Sequence, residues 1–89
     1  MVAKREQGNS YLKAAILEVV ENQMRNNDPP ETRQTCDHMI QEGHSEEDAK
    51  RLIGCVVISE IFDILKKNQE FNLNRFVKAL RNLPKLPEG

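Results

Sequence analysis

The sequence predicts an all-α fold, a compact bundle of four helices with the third one central. Three observations carry that expectation. Helix start and stop signals recur at short intervals, and the apolar residues between them fall at helical spacing. No segment has the polar and apolar alternation that a strand needs, and the chain holds no internal repeat or low-complexity tract.

The first helix is expected over 10–25. Glu18, Glu21, Asn22 and Arg25 share one stripe while Leu12, Ile16, Val19 and Val20 lie opposite, the pattern of an amphipathic surface helix. Residues 1–9 are read as a flexible N-terminal segment. The run Asn26-Asn27-Asp28-Pro29-Pro30 ends the helix, since each proline excludes the α conformation from the residue before it and lacks a donor. Asp28 is expected to cap the second helix, over 29–42, with Pro29 at its first position and Glu31 completing a capping box. Cys36, Met39 and Ile40 are its apolar marks, and Gly43 supplies a left-handed residue at its end.

Ser45 caps the third helix, over 46–68, whose first turn holds Glu46, Glu47 and Asp48 at the positive end of the macrodipole. On a helical wheel Ala49, Ile53, Val56, Val57 and Ile64 share one side, and Ile58, Ile61, Phe62 and Leu65 occupy the other. Both sides therefore need partners, which makes this the central helix. Asn72 begins the last helix, over 73–82, with Leu73, Phe76, Val77, Leu80 and Leu83 as an apolar stripe ending before Pro84. Residues 84–89 are read as a frayed tail, leaving one domain over 10–83. Connections of a few residues favour antiparallel or steeply crossed neighbours, hence the bundle.

Composition narrows the function classes. The 89 residues are 38% hydrophobic and 30% charged, with one Tyr, three Phe and no Trp. A chain of this size buries only about 60–65% of its unfolded surface, so every large apolar residue matters. The net charge of −1 excludes a polyanion-binding character for the whole molecule. The longest mostly apolar stretch, Leu52 to Leu65, contains Glu60 and Asp63 and falls short of the roughly 20 apolar residues that cross a bilayer. Residues 1–9 show no apolar export segment, and two cysteines make no disulfide framework, so the expected setting is cytoplasmic with both thiols reduced.

The pattern Asn22-Gln23, Asp28-Pro29-Pro30, Arg33, Gly43, Ala49 and Glu60 resembles a bacterial family of uncharacterised small all-helical proteins, known as a domain of unknown function. The resemblance covers roughly residues 12 to 83. The family's histidines in the first and third helices appear here as Lys13, Leu17 and Arg51, so whatever those histidines do, this chain does not do it the same way. The resemblance implies a helical fold and a bacterial cytosolic setting, and it implies no activity.

Glu60 and Gln23 are the candidate buried polar pair. On the wheel Glu60 lies among Ile53, Val56, Val57 and Ile64, and Gln23 lies on the apolar side of the first helix. A carboxylate there must find a donor, and an amide is a chemically sensible one. With Gln23 as its partner, Glu60→Gln is expected to cost little. A ligand-binding or catalytic carboxylate at Glu60 is the alternative, but acid–base chemistry needs a second positioned group and none is evident.

Cys36, His38, His44 and Cys55 raise the question of zinc. Neither C-x-x-C nor H-x-x-x-H occurs, and Cys36 and His38 point about 200° apart on a helix, so no metal site and no cysteine nucleophile are expected. The second and third helices with Gly43-His44-Ser45 form a helix-turn-helix pattern, yet Glu46, Glu47 and Asp48 would lead into the groove against the phosphates. Met39 to Ile53 also resembles ubiquitin-associated domains, with Glu42-Gly43-His44 in place of their Met-Gly-Phe contact loop.

From Lys66 to Lys85, six basic residues (Lys66, Lys67, Arg75, Lys78, Arg81 and Lys85) stand against Glu70 alone. Arg75, Lys78, Arg81 and Lys85 are expected on one outer face of the last helix as a basic surface, with no aromatic there for base stacking. The function expected is a non-enzymatic protein–protein interaction or structural module, with itself or another protein as partner, without cofactor or membrane. A nucleic-acid accessory role through the basic face is the alternative.

Overall fold

The computed structural model describes the backbone of residues 2–86 and the side chains of residues 11–86. Four helices follow in order: α1, Val2–Asn26; α2, Pro30–Gln41; α3, Glu46–Lys67; and α4, Leu73–Asn82. Helix α3 packs against each of the other three, α2 touches both α1 and α4, and among the described residues α1 and α4 share no contact. The expected all-α architecture and the central place of α3 are what the chain adopts.

The first helix begins at Val2 and not at Ser10, the expected start. Ala3, Lys4, Arg5, Glu6 and Gln7 are all good helix formers, and a lone Gly8 costs only about 1 kcal/mol against Ala. At the other end Asn27 takes a left-handed φ of 52°, and its N–H and that of Asp28 donate to the carbonyls of Met24 and Gln23. Asp28 is not the cap of α2. Pro29 holds that position without a side-chain bond, because Pro30, not Pro29, is the first helical residue.

The remaining ends follow their local chemistry. Gly43, at φ 105°, closes α2 with a Schellman pattern in which His44 N–H donates to the Met39 carbonyl and Gly43 N–H to that of Ile40. Ser45 Oγ accepts from Asp48 N–H at 3.0 Å, and Asn72 Oδ1 accepts from Arg75 N–H at 3.0 Å, so α3 and α4 each start on a side-chain cap. Helix α3 ends at Asn68, left-handed at φ 51°. After α4, Lys85 N–H donates to the Asn82 carbonyl in a turn, and residues 87–89 of the expected frayed tail lie outside the described residues.

The core is built from Ile16 and Val20 of α1, Cys36 and Met39 of α2, Ala49, Ile53, Val56 and Val57 of α3, and Phe76, Leu80 and Leu83 at the α4 end. Two close approaches set α1 against α3. Gly54 of α3 sits so near α1 that an added Cβ would lie 3.1 Å from Ile16 Cγ2. Lys50 of α3 pairs with Glu21 of α1 and with its own neighbour Glu46, and these bonds hold its ammonium pKa well above the ordinary value. Ile16 beside Gly54 and Glu21 beside Lys50 make α1 and α3 antiparallel.

Candidate functional site

The wheel of α3 divides as expected, but only one side is covered. Ala49, Ile53, Val56, Val57 and Glu60 are buried in the core. On the opposite side Phe62 is 65% exposed and Leu65 74% exposed, with Ile61 exposed and Ile58 half-buried beside them. Arg51, Cys55, Ile58, Phe62 and Leu65 recur at steps of four and three residues, so they form one stripe within roughly 80° of arc on a 100° wheel. The partners that the sequence demanded for this side of α3 are not supplied from within the described chain.

The stripe runs into a groove of about 460 Å³ between α1 and α3. Its apolar lining comes from Leu12, Ile16 and Leu17 on one wall and Cys55 and Ile58 on the other, with Lys13 and Arg51 at its edges. Leu12, 59% exposed, stands open at the rim. Glycine at 54 leaves room for the Ile16 side chain to lie against α3 at the floor of the groove. Lys13, Leu17 and Arg51 all line this groove.

Glu60 is buried, 6% exposed, as its wheel position required, but its partner is not Gln23. Arg75 Nε donates to both carboxylate oxygens at 3.0 Å, and its Nη2 donates to Oε2 at 2.6 Å. The guanidinium also donates to Gln69 Oε1 at 3.1 Å and lies 4.0 Å from Asp63. The hydrogen bond to Glu60 raises the Arg75 pKa further above its already high ordinary value. Gln23 accepts instead from the hydroxyl of Thr32, at 2.9 Å, joining α1 to α2. An arginine answers a buried carboxylate better than an amide, because its planar fork serves both oxygens and its charge offsets the carboxylate's desolvation.

This pairing also corrects the basic face. Arg75 turns inward to Glu60, half-buried, so the outer face of α4 keeps Lys78 and Arg81, while Lys85 lies beyond the helix in the turn after Pro84. Lys78 and Arg81 line a cleft between α2 and α4 together with Glu31, Asn74 and Asn82, which places a carboxylate within the basic surface. Arg75 was legible as a partner only through the connection between α3 and α4. Residues 68–72 reverse the chain so that the first turn of α4 returns beside the last turns of α3, and a wheel drawn for α4 alone points Arg75 outward.

Cys36 is buried and Cys55 exposed. Burial, then the nearby Asp37 carboxylate, pushes the Cys36 thiol up from its ordinary pKa. His38 is exposed and 3.5 Å from Glu42, His44 is half-buried, and among the described residues no three His, Cys, Asp or Glu side chains stand together to hold a metal ion. No helix among the described residues is long and apolar enough to cross a membrane.

No known family model, curated protein or solved structure matches the chain. Its functional reading rests on its own geometry.

Proposed function

We propose that this chain is a non-enzymatic interaction module that docks a protein partner on the outer face of α3, in a cytoplasmic setting. The observation that carries the reading is the apolar stripe in which Cys55, Phe62 and Leu65 are exposed and Ile58 is half-buried, beside the α1–α3 groove. Phe62 and Leu65 are largely exposed, so folding gains little from them where they stand. Contiguous exposed apolar surface rimmed by charge is the mark of a docking face. The rim is present here as Lys13, Arg51 and Lys66.

The other candidates fit less well. Both oxygens of Glu60 are occupied by Arg75, which leaves that carboxylate tied up for acid–base or ligand chemistry. With Arg75 engaged, a nucleic-acid face has lost one of its four cations and faces Glu31. The resemblance to an uncharacterised bacterial helical family agrees with a small module and adds no activity.

The experiment is a capture from lysate of the native host with the whole chain as bait, beside the Phe62→Asp, Leu65→Asp double variant. The expected result is a specific protein retained by the wild-type bait and lost from the variant, with helical circular dichroism unchanged. Identical proteins on both baits would remove the α3 face as the docking site.

A further inference from the structure

The chemistry of the stripe identifies its occupant as a second copy of this chain, and we propose that two α3 helices pair antiparallel across it. The proposal rests on the reading of the chain as an interaction module and names the partner. The spacing of the four apolar positions, 55, 58, 62 and 65, is three, four, three, which reads the same in both directions. A twofold axis at the level of residue 60 therefore lays the stripe upon itself, with Cys55 opposite the other copy's Leu65 and Ile58 opposite its Phe62. Every such layer is apolar. A partner without this symmetry would need its own complementary pattern, whereas a closed twofold interface uses one patch twice.

The shapes on the two halves of the patch also complement each other. Leu65, at 74% exposure, projects from one end of the stripe, and the α1–α3 groove opens at the other end beside Cys55. In the antiparallel arrangement the Leu65 side chain of each copy enters the groove of the other, between Leu12, Leu17, Cys55 and Ile58. That is the knob-into-hole packing that steps of four and three residues produce.

The charges agree with the direction. In an antiparallel pair the two α3 macrodipoles run opposite ways, so the N-terminal end of each helix lies on the side of the other's C-terminal end. A parallel pair would align like with like. Beyond the four apolar layers the same register brings Arg51 of each copy to the C-terminal end of the other's α3, where the helix dipole favours a cation. Arg51 already bonds Glu47 at 3.0 Å, and its cation lies at the edge of the groove.

The test is sedimentation of the full chain from about 1 µM to 1 mM, a range that covers weak and moderate specific contacts. The expected result is a mass rising from monomer toward dimer, with Leu65→Asp and Phe62→Asp each weakening association at least tenfold and leaving helicity and thermal unfolding in place. For the register, Leu65→Cys treated with a short bismaleimide should give a covalent dimer linking the new thiol to Cys55 of the other copy. Wild type should not, because its two Cys55 side chains would be ten residues, or about 15 Å, apart along the paired helices. A monomer throughout the range, a dimer indifferent to both aspartates, or a Cys55 to Cys55 cross-link in wild type would each overturn the proposal. A monomer that still captures another protein through Phe62 and Leu65 overturns self-pairing alone, and a monomer that captures nothing overturns the interaction reading as well.

Discussion

Arg75 Nη2 lies 2.6 Å from Glu60 Oε2, joining residues fifteen apart in the chain and fastening the first turn of α4 to the inner face of α3. The carboxylate is in the core and the guanidinium at its edge, so the pair closes the bundle where α4 turns back on α3. Its energetic meaning depends on which partner is removed. A buried ion left alone is costly, while replacing both partners by apolar residues is often tolerated.

The first prediction concerns that asymmetry. Arg75→Met should destabilise more than Glu60→Gln, because it strands the carboxylate among Ile53, Val56 and Val57. Glu60→Gln is not neutral, as a Gln23 partner would have made it, since an amide offers one acceptor and turns two donors toward the arginine. Glu60→Leu combined with Arg75→Met should recover much of the Arg75→Met loss. Urea unfolding of the singles and the double is the measurement, and simple additivity would show that the two side chains are not coupled.

A second prediction isolates the Thr32 and Gln23 bond. Thr32 is fully buried and Gln23 half-buried, so Thr32→Val keeps the shape and removes the donor, leaving an acceptor that water can still reach. The expected loss is about 1 kcal/mol, the usual net worth of such a bond. Thermal or denaturant unfolding unchanged by the substitution would mean that the hydroxyl contributes nothing to holding α1 on α2.

Gly54 supplies a third. Alanine there gains up to about 1 kcal/mol of helix propensity but must move Ile16 Cγ2 by a few tenths of an ångström from 3.1 Å. The two effects should nearly cancel. Gly54→Leu has no such balance and should cost about 1–3 kcal/mol by pushing α1 away from α3. Calorimetry that ranks leucine equal to alanine would contradict the close contact.

Cys36 predicts the response to alkali. Its folded pKa is raised by burial, so its contribution to stability is complete below the unfolded thiol's pKa and is lost as pH rises through the folded value. Over that window the single proton gives a slope of at most about 1.4 kcal/mol per pH unit. Cys36→Ala should lose some packing at neutral pH and show a flatter decline above pH 9, the ordinary thiol value. Parallel stability profiles for the two proteins would place the alkaline sensitivity elsewhere.

The four helices were legible because their boundaries are local chemistry. Ser45, Asn72 and Gly43 act within one turn of themselves, and their side chains or backbone do what their type allows wherever the rest of the chain lies. The buried state of Glu60 was legible for a similar reason, as the helical wheel surrounds it with Ile53, Val56 and Val57. Two local readings failed where neighbours compete: Asp28 lost the cap to a second proline, and the start of α1 moved to Val2 because its charged residues are good helix formers.

Pairing across helices was decided only by the tertiary structure. Gln23 and Glu60 were both correctly marked as polar groups on apolar faces, but residues on different helices choose partners by distance in space. The turn at residues 68–72 brings Arg75 to Glu60, and the crossing of α1 and α2 brings Thr32 to Gln23. The same holds for α3. Its two apolar sides are written in the sequence, but which one faces the core depends on where α1, α2 and α4 pack. The three partners enclose the side of Ile53 and leave Phe62 and Leu65 outside, because the apolar residues they contribute, Ile16, Val20, Cys36, Met39, Phe76 and Leu80, all pack on that inner side.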